Sequence, residues 1–534
     1  MSEKKMKIIQ IGSTNWQETT AIPSRLEWIF LPPHRIASYL KEEEERLEYE
    51  FQEKNKKADK DTKIKRKRLS FDAVVLTDKA YSSDIALLEK VIEPYHVFFD
   101  KDLEIEDAFF KHFLNRTLAQ PMNFKDREGS VYLLSKILFK GQFGQKMAVE
   151  HFLVNPDIEG EMSYEGKHSF VIEGDFGEDY RVLGSYAYGV DYRKQHLLEL
   201  WQEYVKDDSC QIKLLVKRVP EGAVSEIAEE FEFDEKDMLE PSVIDCAGSG
   251  NLQVTLLIKG KGRIEIGPLH YRWSRGGFGQ FTLGGQRFCD SNRQEFHYFF
   301  HPGDFKPPLC VYFSGFRSAE GFEGYGMMRK MGVPMLLICD PRLEGGSFYL
   351  GTEAFEQKIP QLIQHCLDFL GFTNKELILS GMSMGTFGAT YYGAELDPHA
   401  IILAKPVFNL GRVATFEKTS RPEGFTTSLD ILLHFEKDLS KDAQERLDRR
   451  FWQKCISGRY TDTKFFVAYM KNDDYDHTAF FDLMDELSDT DVQVVGKGWT
   501  GRHTDGSNET VPWFLSQYYK VLATDFGRGD DRVS

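Results

Sequence analysis

Hydrophobic positions along this chain fall into three textures. Up to residue 145, short continuous apolar runs alternate with helical spacing. Met6-Lys7-Ile8-Ile9-Gln10-Ile11-Gly12 reads as a strand ending in a glycine turn, and the runs Phe71 to Asp78 and Tyr95 to Phe99 read as two more. Between the last two, Ile85, Leu88 and Val91 repeat at helical steps, which predicts a small parallel sheet with crossover helices. The stretch from Lys41 to Arg68 is highly charged and carries too few apolar residues for a buried helix, so an exposed helix or loose insertion is expected there.

From 146 to 305 the runs are short and β-rich, among them His168 to Ile172, Tyr180 to Gly184, Cys210 to Val216, Leu252 to Ile258 and Arg263 to Gly267. Glycine turns separate several of them, which predicts a sandwich, of jelly-roll type, with one helix inserted over Leu197 to Val205. Arg275-Gly276-Gly277-Phe278-Gly279 and Leu283-Gly284-Gly285 superficially resemble a phosphate loop. They lack the lysine and hydroxyl of that pattern and are read as hairpin turns.

From 306 onward strands and helices alternate. Strand-like runs occupy Leu309 to Phe313, Val333 to Cys339, Leu377 to Ser380, Ala400 to Ala404, Lys464 to Tyr469 and Val492 to Val495. Phe355, Ile359, Leu362, Ile363, Cys366 and Leu370 mark a helix between the second and third. Such alternation means a parallel sheet covered on both faces. The expected fold class is therefore α/β. A C-terminal α/β-hydrolase fold (306–534) follows a β-sandwich-like middle domain (146–305) and a small N-terminal α/β, Rossmann-like domain (1–145).

Within the last texture, Gly381-Met382-Ser383-Met384-Gly385 follows a strand and opens a helix. A serine on a strand-to-helix turn flanked by small residues is the nucleophile elbow of α/β-hydrolases. Acyl transfer from serine needs a base and an orienting acid, in the chain order serine, acid, histidine. After Ser383 the histidines are His399, His434, His477 and His503. His503 lies in a glycine-containing loop past the last strand-like run, where the base belongs, with His477 as runner-up. Asp473, Asp474 and Asp476 crowd the loop after the penultimate strand, and Asp473 has the preferred offset. Asp476 suits the N-cap of the helix beginning near Ala479. The oxyanion donors are expected to be the N–H of Met384 and that of Gly315 or Phe316, with Arg317 beside them for a polar substrate group or a salt bridge.

A net charge of −17 disfavours a general nucleic-acid-binding role, and the basic run Lys63 to Arg68 reads as a solvated face. Seven scattered cysteines without a C-x-x-C pair predict buried thiols, no disulfide framework and no zinc site. The charged N-terminus is no signal peptide and no segment approaches a membrane span, so a cytoplasmic protein is expected, meeting a membrane only through partners.

The loop Phe313-Ser314-Gly315-Phe316-Arg317, the run Gly381 to Ala389, Ala404-Lys405-Pro406 and the Asp473 and His503 loops together resemble the second accessory secretory protein family of the accessory Sec system. That system exports serine-rich repeat glycoprotein adhesins. The resemblance implies an O-acetyltransferase acting on N-acetylglucosamine of the adhesin glycans, with Ser383 as nucleophile, Asp473 as acid and His503 as base. It implies partnership with other accessory Sec proteins and the accessory SecA motor. No coenzyme A motif is recognisable and no bound cofactor or metal is expected; acetyl-coenzyme A is the supposed acetyl donor. The competing expectations are a carbohydrate esterase or lipase, and a non-catalytic export scaffold or chaperone.

Overall fold

The structure is a computed structural model that describes residues 5–57, 64–78, 83–419, 425, 427–458 and 460–529. Lys63, the first residue of the basic run, lies outside the described residues. The chain divides into two compact units, Met1–Gly141 with Gln195–Leu197 and Ser274–Gly284, and the remainder. Among the described residues there are three sheets, of five, ten and eight strands. No described helix is long and apolar enough to cross a membrane.

The first unit holds strands β1 (Met6–Ile11), β2 (Leu26–Leu31), β3 (Ala73–Leu76), β4 (Val97–Asp100) and β5 (Gln120–Met122), with helices α1 (Ile36–Lys57), α2 (Ala108–Arg116) and α3 (Arg127–Ile137). All neighbours are parallel, in the order β2-β1-β3-β4-β5, one of the doubly wound orders. Alternation along each strand feeds two cores. Ile8, Val75 and Phe98 bury on one face, and Ile9, Val74 and Val97 on the other. The charged segment is a regular helix over most of its length: α1 buries only Ile36 and Leu40, and Arg46 pairs with Glu43 and Glu50.

The glycine-rich segment after Ser274 is no hairpin, because the strands on either side belong to different sheets. It is a loop built around Arg275, whose buried guanidinium donates to the carbonyls of Ile137, Phe139, Gly141 and Phe281. Burial lowers its pKa to about 9. Gly284, at φ 77°, passes so close to Tyr95 that a β-carbon would sit 2.1 Å from the ring.

In the second unit, ten strands form one mostly antiparallel sheet. They are β6 (Gly144–Met147), β7 (Phe152–Val154), β8 (Glu161–Glu165), β9 (Ser169–Tyr186), β10 (Val190–Tyr192), β11 (Leu197–Lys206), β12 (Cys210–Pro220), β13 (Glu229–Phe233), β14 (Ser242–Ile244) and β15 (Gly250–Ser274). Instead of two separate sheets, the long strands β9 and β15 run through the whole assembly. They bend at register shifts near Gly260, which has φ 96° and faces Gly177 at φ 84°. The helix expected over Leu197 to Val205 is strand β11. Its residues Leu197 to Glu203 are all buried, and pairing with β14 and β15 overrides their helix-like spacing.

The eight-stranded sheet comprises β16 (Gln286–Cys289), β17 (Glu295–His301), β18 (Leu309–Phe313), β19 (Met335–Cys339), β20 (Leu377–Met382), β21 (Ala400–Ala404), β22 (Lys464–Met470) and β23 (Gln493–Trp499). Its order is β16-β17-β19-β18-β20-β21-β22-β23, parallel except for β16 and β17. Those two antiparallel strands come from the stretch that sequence groups with the β-rich texture. Helices α4 (Tyr325–Met331), α5 (Glu353–Leu370), α6 (Met384–Leu396), α7 (Leu410–Thr419), α8 (Thr427–Glu436), α9 (Lys441–Ser457), α10 (Ala479–Glu486) and α11 (Ser507–Thr524) complete this part. The helix α6 buries every residue but Glu395, as the central helix of a two-sided layer must. The seven cysteines are free thiols.

Where the ten-stranded and eight-stranded sheets meet, charge is buried. His270 of β15 lies between Glu203 of β11 (2.9 Å) and Glu320 of the loop after β18 (2.6 Å). Arg272, two residues on and facing the same side, reaches Glu320 (2.5 Å) and Glu295 of β17. Burial pushes the His270 imidazole down, but the two carboxylates outweigh it and raise the pKa to about 9. His270 therefore binds its proton more tightly folded than unfolded. The stabilisation is fully present below the ordinary value of 6.5 and is lost as pH rises through about 9. Unfolding free energy is expected to fall over that window, and His270→Gln to flatten the slope. A wild-type stability that stays level from 6.5 to 9 would refute this assignment.

Candidate active site

The elbow is built by exclusion. A β-carbon on Gly381 would lie 2.2 Å from the carbonyl of Gly385, and one on Gly385 would lie 2.1 Å from the carbonyl oxygen of Phe313. Only glycine lets β20, α6 and β18 approach this closely. Between them Ser383 sits at φ 52°, ψ −122°, a conformation that costs a non-glycine residue about 1–3 kcal/mol. Its N–H donates to the Ala404 carbonyl at 2.8 Å, and its carbonyl accepts from Thr386 N–H (2.9 Å) and Oγ1 (2.6 Å). The turn lifts the hydroxyl above the carboxyl ends of the parallel strands.

Three side chains from three loops meet there. Ser383 Oγ is 2.8 Å from His503 Nε2, and His503 Nδ1 is 2.8 Å from Asp473 Oδ2. The other oxygen of Asp473 accepts the N–H groups of Tyr475 (2.9 Å) and Asp476 (3.2 Å), which fixes its rotation. Burial pushes the Asp473 carboxyl up, yet the hydrogen bond and charge of His503 and the two N–H groups hold it below the usual range. His503 and Asp473 are each 7% exposed. With an Nδ1–H donor to Asp473, His503 Nε2 is the acceptor for the serine proton.

The rival residues have other partners. Asp474 accepts the backbone N–H of His503 (3.0 Å), pinning the histidine loop. Asp476 is not the N-cap of α10, a position that Thr478 holds: its buried carboxylate accepts from Phe408 and Asn409 N–H, each at 2.8 Å, in the segment just before α7. Burial raises its pKa, offset by these donors and by Arg412. His477 is exposed beside Phe416, and His399 pairs with Asp525. His434 stacks on His168 at 3.9 Å with an interplanar angle of 17°. With Glu165 these two histidines place three ligand-type atoms within 4.8 Å of one another. Near-parallel stacked rings cannot aim both lone pairs at one ion, and Glu165 is paired with Lys437.

Of the oxyanion candidates, Met384 opens α6, where a helix leaves its first N–H groups without helical acceptors. Gly315 is committed: its N–H donates to Glu323 at 2.6 Å. Phe316, next in the loop, borders the same cavity. Arg317 does not line that cavity; its N–H donates to the Gly345 carbonyl at 3.4 Å.

The cavity over Ser383 encloses about 1080 Å³. One wall is aromatic, running from Phe316 and Phe348 through Phe425 to Tyr475, whose ring meets His503 edge-on at 4.5 Å. Its polar points include Glu323 and Lys405, and the ten-stranded sheet contributes Lys167 from the β8–β9 turn. Burial lowers the Lys405 pKa, and its ammonium donates to Ser507 Oγ at 3.1 Å. Sequence reasoning missed Phe348, Phe425, Tyr475 and Lys167, because isolated aromatic and charged residues in loops carry no pattern.

The chain is similar to other proteins over most of its length. An accessory Sec system protein of Streptococcus gordonii is 40% identical over 528 residues, covering 98% of this chain and 99% of that protein. Its counterpart from Staphylococcus aureus (strain NCTC 8325 / PS 47) is 39% identical over 443 residues, covering 83% and 85%. A chain of the Glycosylation Associate Protein (Gap123) complex from Streptococcus agalactiae has a TM-score of 0.92 at 42% identity, covering 99% of this chain and 100% of that one. Residues 6–528 match the family described as the accessory Sec system GspB-transporter, and the chain is a member of that family.

Proposed function

We propose that this accessory Sec protein is a serine O-acyltransferase that acetylates N-acetylglucosamine on serine-rich repeat adhesin glycans during their export. The observation that carries the reading is the continuous proton path Ser383–His503–Asp473, with both links at 2.8 Å. His503 takes the serine proton as Oγ attacks the acyl carbonyl of the donor, and Asp473 stabilises the imidazolium. The N–H groups of Met384 and Phe316 receive the oxyanion. The leaving group departs with the proton from His503. The sugar hydroxyl then gives His503 its own proton, attacks the acyl-serine, and frees Ser383 as the proton returns to Oγ. Acetyl-coenzyme A is the donor we propose, since a thioester supplies a good leaving group.

Each half of the reaction brings one substrate to the same serine, first the donor and then the sugar, and a cavity of 1080 Å³ far exceeds an acetyl group. Aromatic faces beside polar side chains suit a sugar ring, which has apolar C–H faces and hydroxyl edges. The same acyl-serine would hydrolyse an ester if water replaced the acceptor, so acceptor dependence separates transfer from esterase action. Partnership with other accessory Sec proteins, the accessory SecA motor and the adhesin substrate, and a cytoplasmic location, complete the proposal. Similarity to a chain of the Gap123 complex supports the partnership.

Ser383→Ala is expected to abolish acetylation of the adhesin glycans while leaving the protein folded, as read by mass analysis of the glycans. Full acetylation by that variant would remove the enzymatic reading. Asp473→Asn should lower turnover on the order of 10⁴-fold by favouring the wrong histidine tautomer. Asp474→Asn, whose side-chain oxygen can still accept the His503 backbone N–H, should cost no more than roughly ten-fold. Equal losses for the two variants in steady-state kinetics would contradict the assignment of Asp473 as the acid.

A further inference from the structure

The loop from Ser314 to Gly324 carries the Phe316 N–H, so its placement decides whether that donor meets the oxyanion. Its near end is held by the eight-stranded sheet, where Ser314 N–H donates to the Ile338 carbonyl at 2.9 Å. Its far end is held by the ten-stranded sheet. Glu320 N–H donates to the Gly144 carbonyl of β6 at 2.9 Å, and Phe322 N–H to Gln142 Oε1 at 2.7 Å. Between the two ends, Ser318 and Ala319 are exposed.

The strongest grip on the far end is electrostatic. Glu320 offers one oxygen to His270 Nδ1 (2.6 Å) and the other to Arg272 Nε (2.5 Å). Both oxygens of a carboxylate 1% exposed are thus directed by cations on neighbouring positions of one strand face. Glu203 and Glu295 face those cations from β11 and β17, and His297 lies beside Glu295. Lys146 of β6 donates to the Pro341 carbonyl, in the loop whose Gly345 carbonyl accepts from Arg317 N–H. An apolar contact of equal area would hold the loop down but would not fix its rotation; a carboxylate gripped at both oxygens does.

We propose that Glu320 is a positioning residue: gripped by Arg272 and His270 of the ten-stranded sheet, it fixes the loop that aims the Phe316 N–H at the acyl carbonyl. The inference rests on the acyl-serine reading above. It makes the ten-stranded sheet part of the acyl-transfer machinery, although it supplies no member of the Ser383–His503–Asp473 relay.

The test uses full-length protein with p-nitrophenyl acetate as acyl donor. Glu320→Gln keeps the side-chain shape but removes the charge and one acceptor. It should lower kcat by roughly 100-fold with KM within about two-fold, since a misaimed oxyanion donor weakens only the transition state. The pH–rate midpoint should not move, because the His503–Asp473 contact is untouched. His270→Gln, which leaves the Arg272 contact, should lower kcat by roughly ten-fold in the same way. If wild type and Ser383→Ala release nitrophenol equally slowly, the acyl-serine reading itself fails. If wild type is active and folded Glu320→Gln and His270→Gln turn over within about two-fold of it, the positioning role is overturned. A shifted pH–rate midpoint also overturns it, by placing the effect on the triad. Should Glu320→Gln fail to fold, His270→Gln decides by the same criteria.

Discussion

Everything at the site depends on a backbone approach that leaves no room for a side chain. Gly381 and Gly385 bring β20, α6 and β18 within contact at the elbow, and Ser383 is forced to positive φ as a result. A strained turn of this kind persists only where its surroundings over-determine it. Here the bonds to Ala404 and Thr386, and the nearly complete burial of α6, supply that determination. The strain buries the helix and exposes one hydroxyl, a combination that a relaxed turn would not produce.

Carboxylates also secure the loops around the elbow. Asp474 holds the His503 backbone, Asp476 holds the segment just before α7, and Glu323 holds Gly315. These carboxylates divide the labour of a site assembled from loops, which are mobile unless tied down. Asp473 directs an oxygen to the imidazole ring, because Tyr475 and Asp476 N–H fix its other oxygen. The aromatic wall adds an apolar side to the site, and hydrogen bonds strengthen where the surroundings are less polar than water.

The charges buried between the ten-stranded and eight-stranded sheets follow a different logic. Ion pairs of this sort contribute little net stability over apolar packing, while removal of one partner leaves a costly lone charge. They are directional as well: His270 and Arg272 each take a different oxygen of Glu320. Glu165, His168 and His434 lie at the same junction, and there two neutral rings stack instead of pairing as ions. Burial lowers the pKa of both imidazoles, which is the condition for such a stack.

Much of this was legible in the residues because the signals were local. The alternation of strands and helices after residue 306, the glycine spacing around Ser383 and the offset of Asp473 from its strand are set by neighbours in sequence. Long-range features were not legible for the converse reason. Leu197 to Lys206 has helix-like spacing, but its strand partners β14 and β15 lie far along the chain, Leu198 opposite Ile244 and Gln202 bonded to Gly267. Arg275 looks like part of a turn until three distant carbonyls, of Ile137, Phe139 and Gly141, gather around it. The sequence determined which side chains this site can bring together, because the order of serine, aspartate and histidine along the chain is fixed by residue type. Only the tertiary structure decided which aspartate meets the His503 ring, which loop N–H is spent on Glu323, and which sheet grips Glu320, since each depends on atoms that meet only after the sheets have packed.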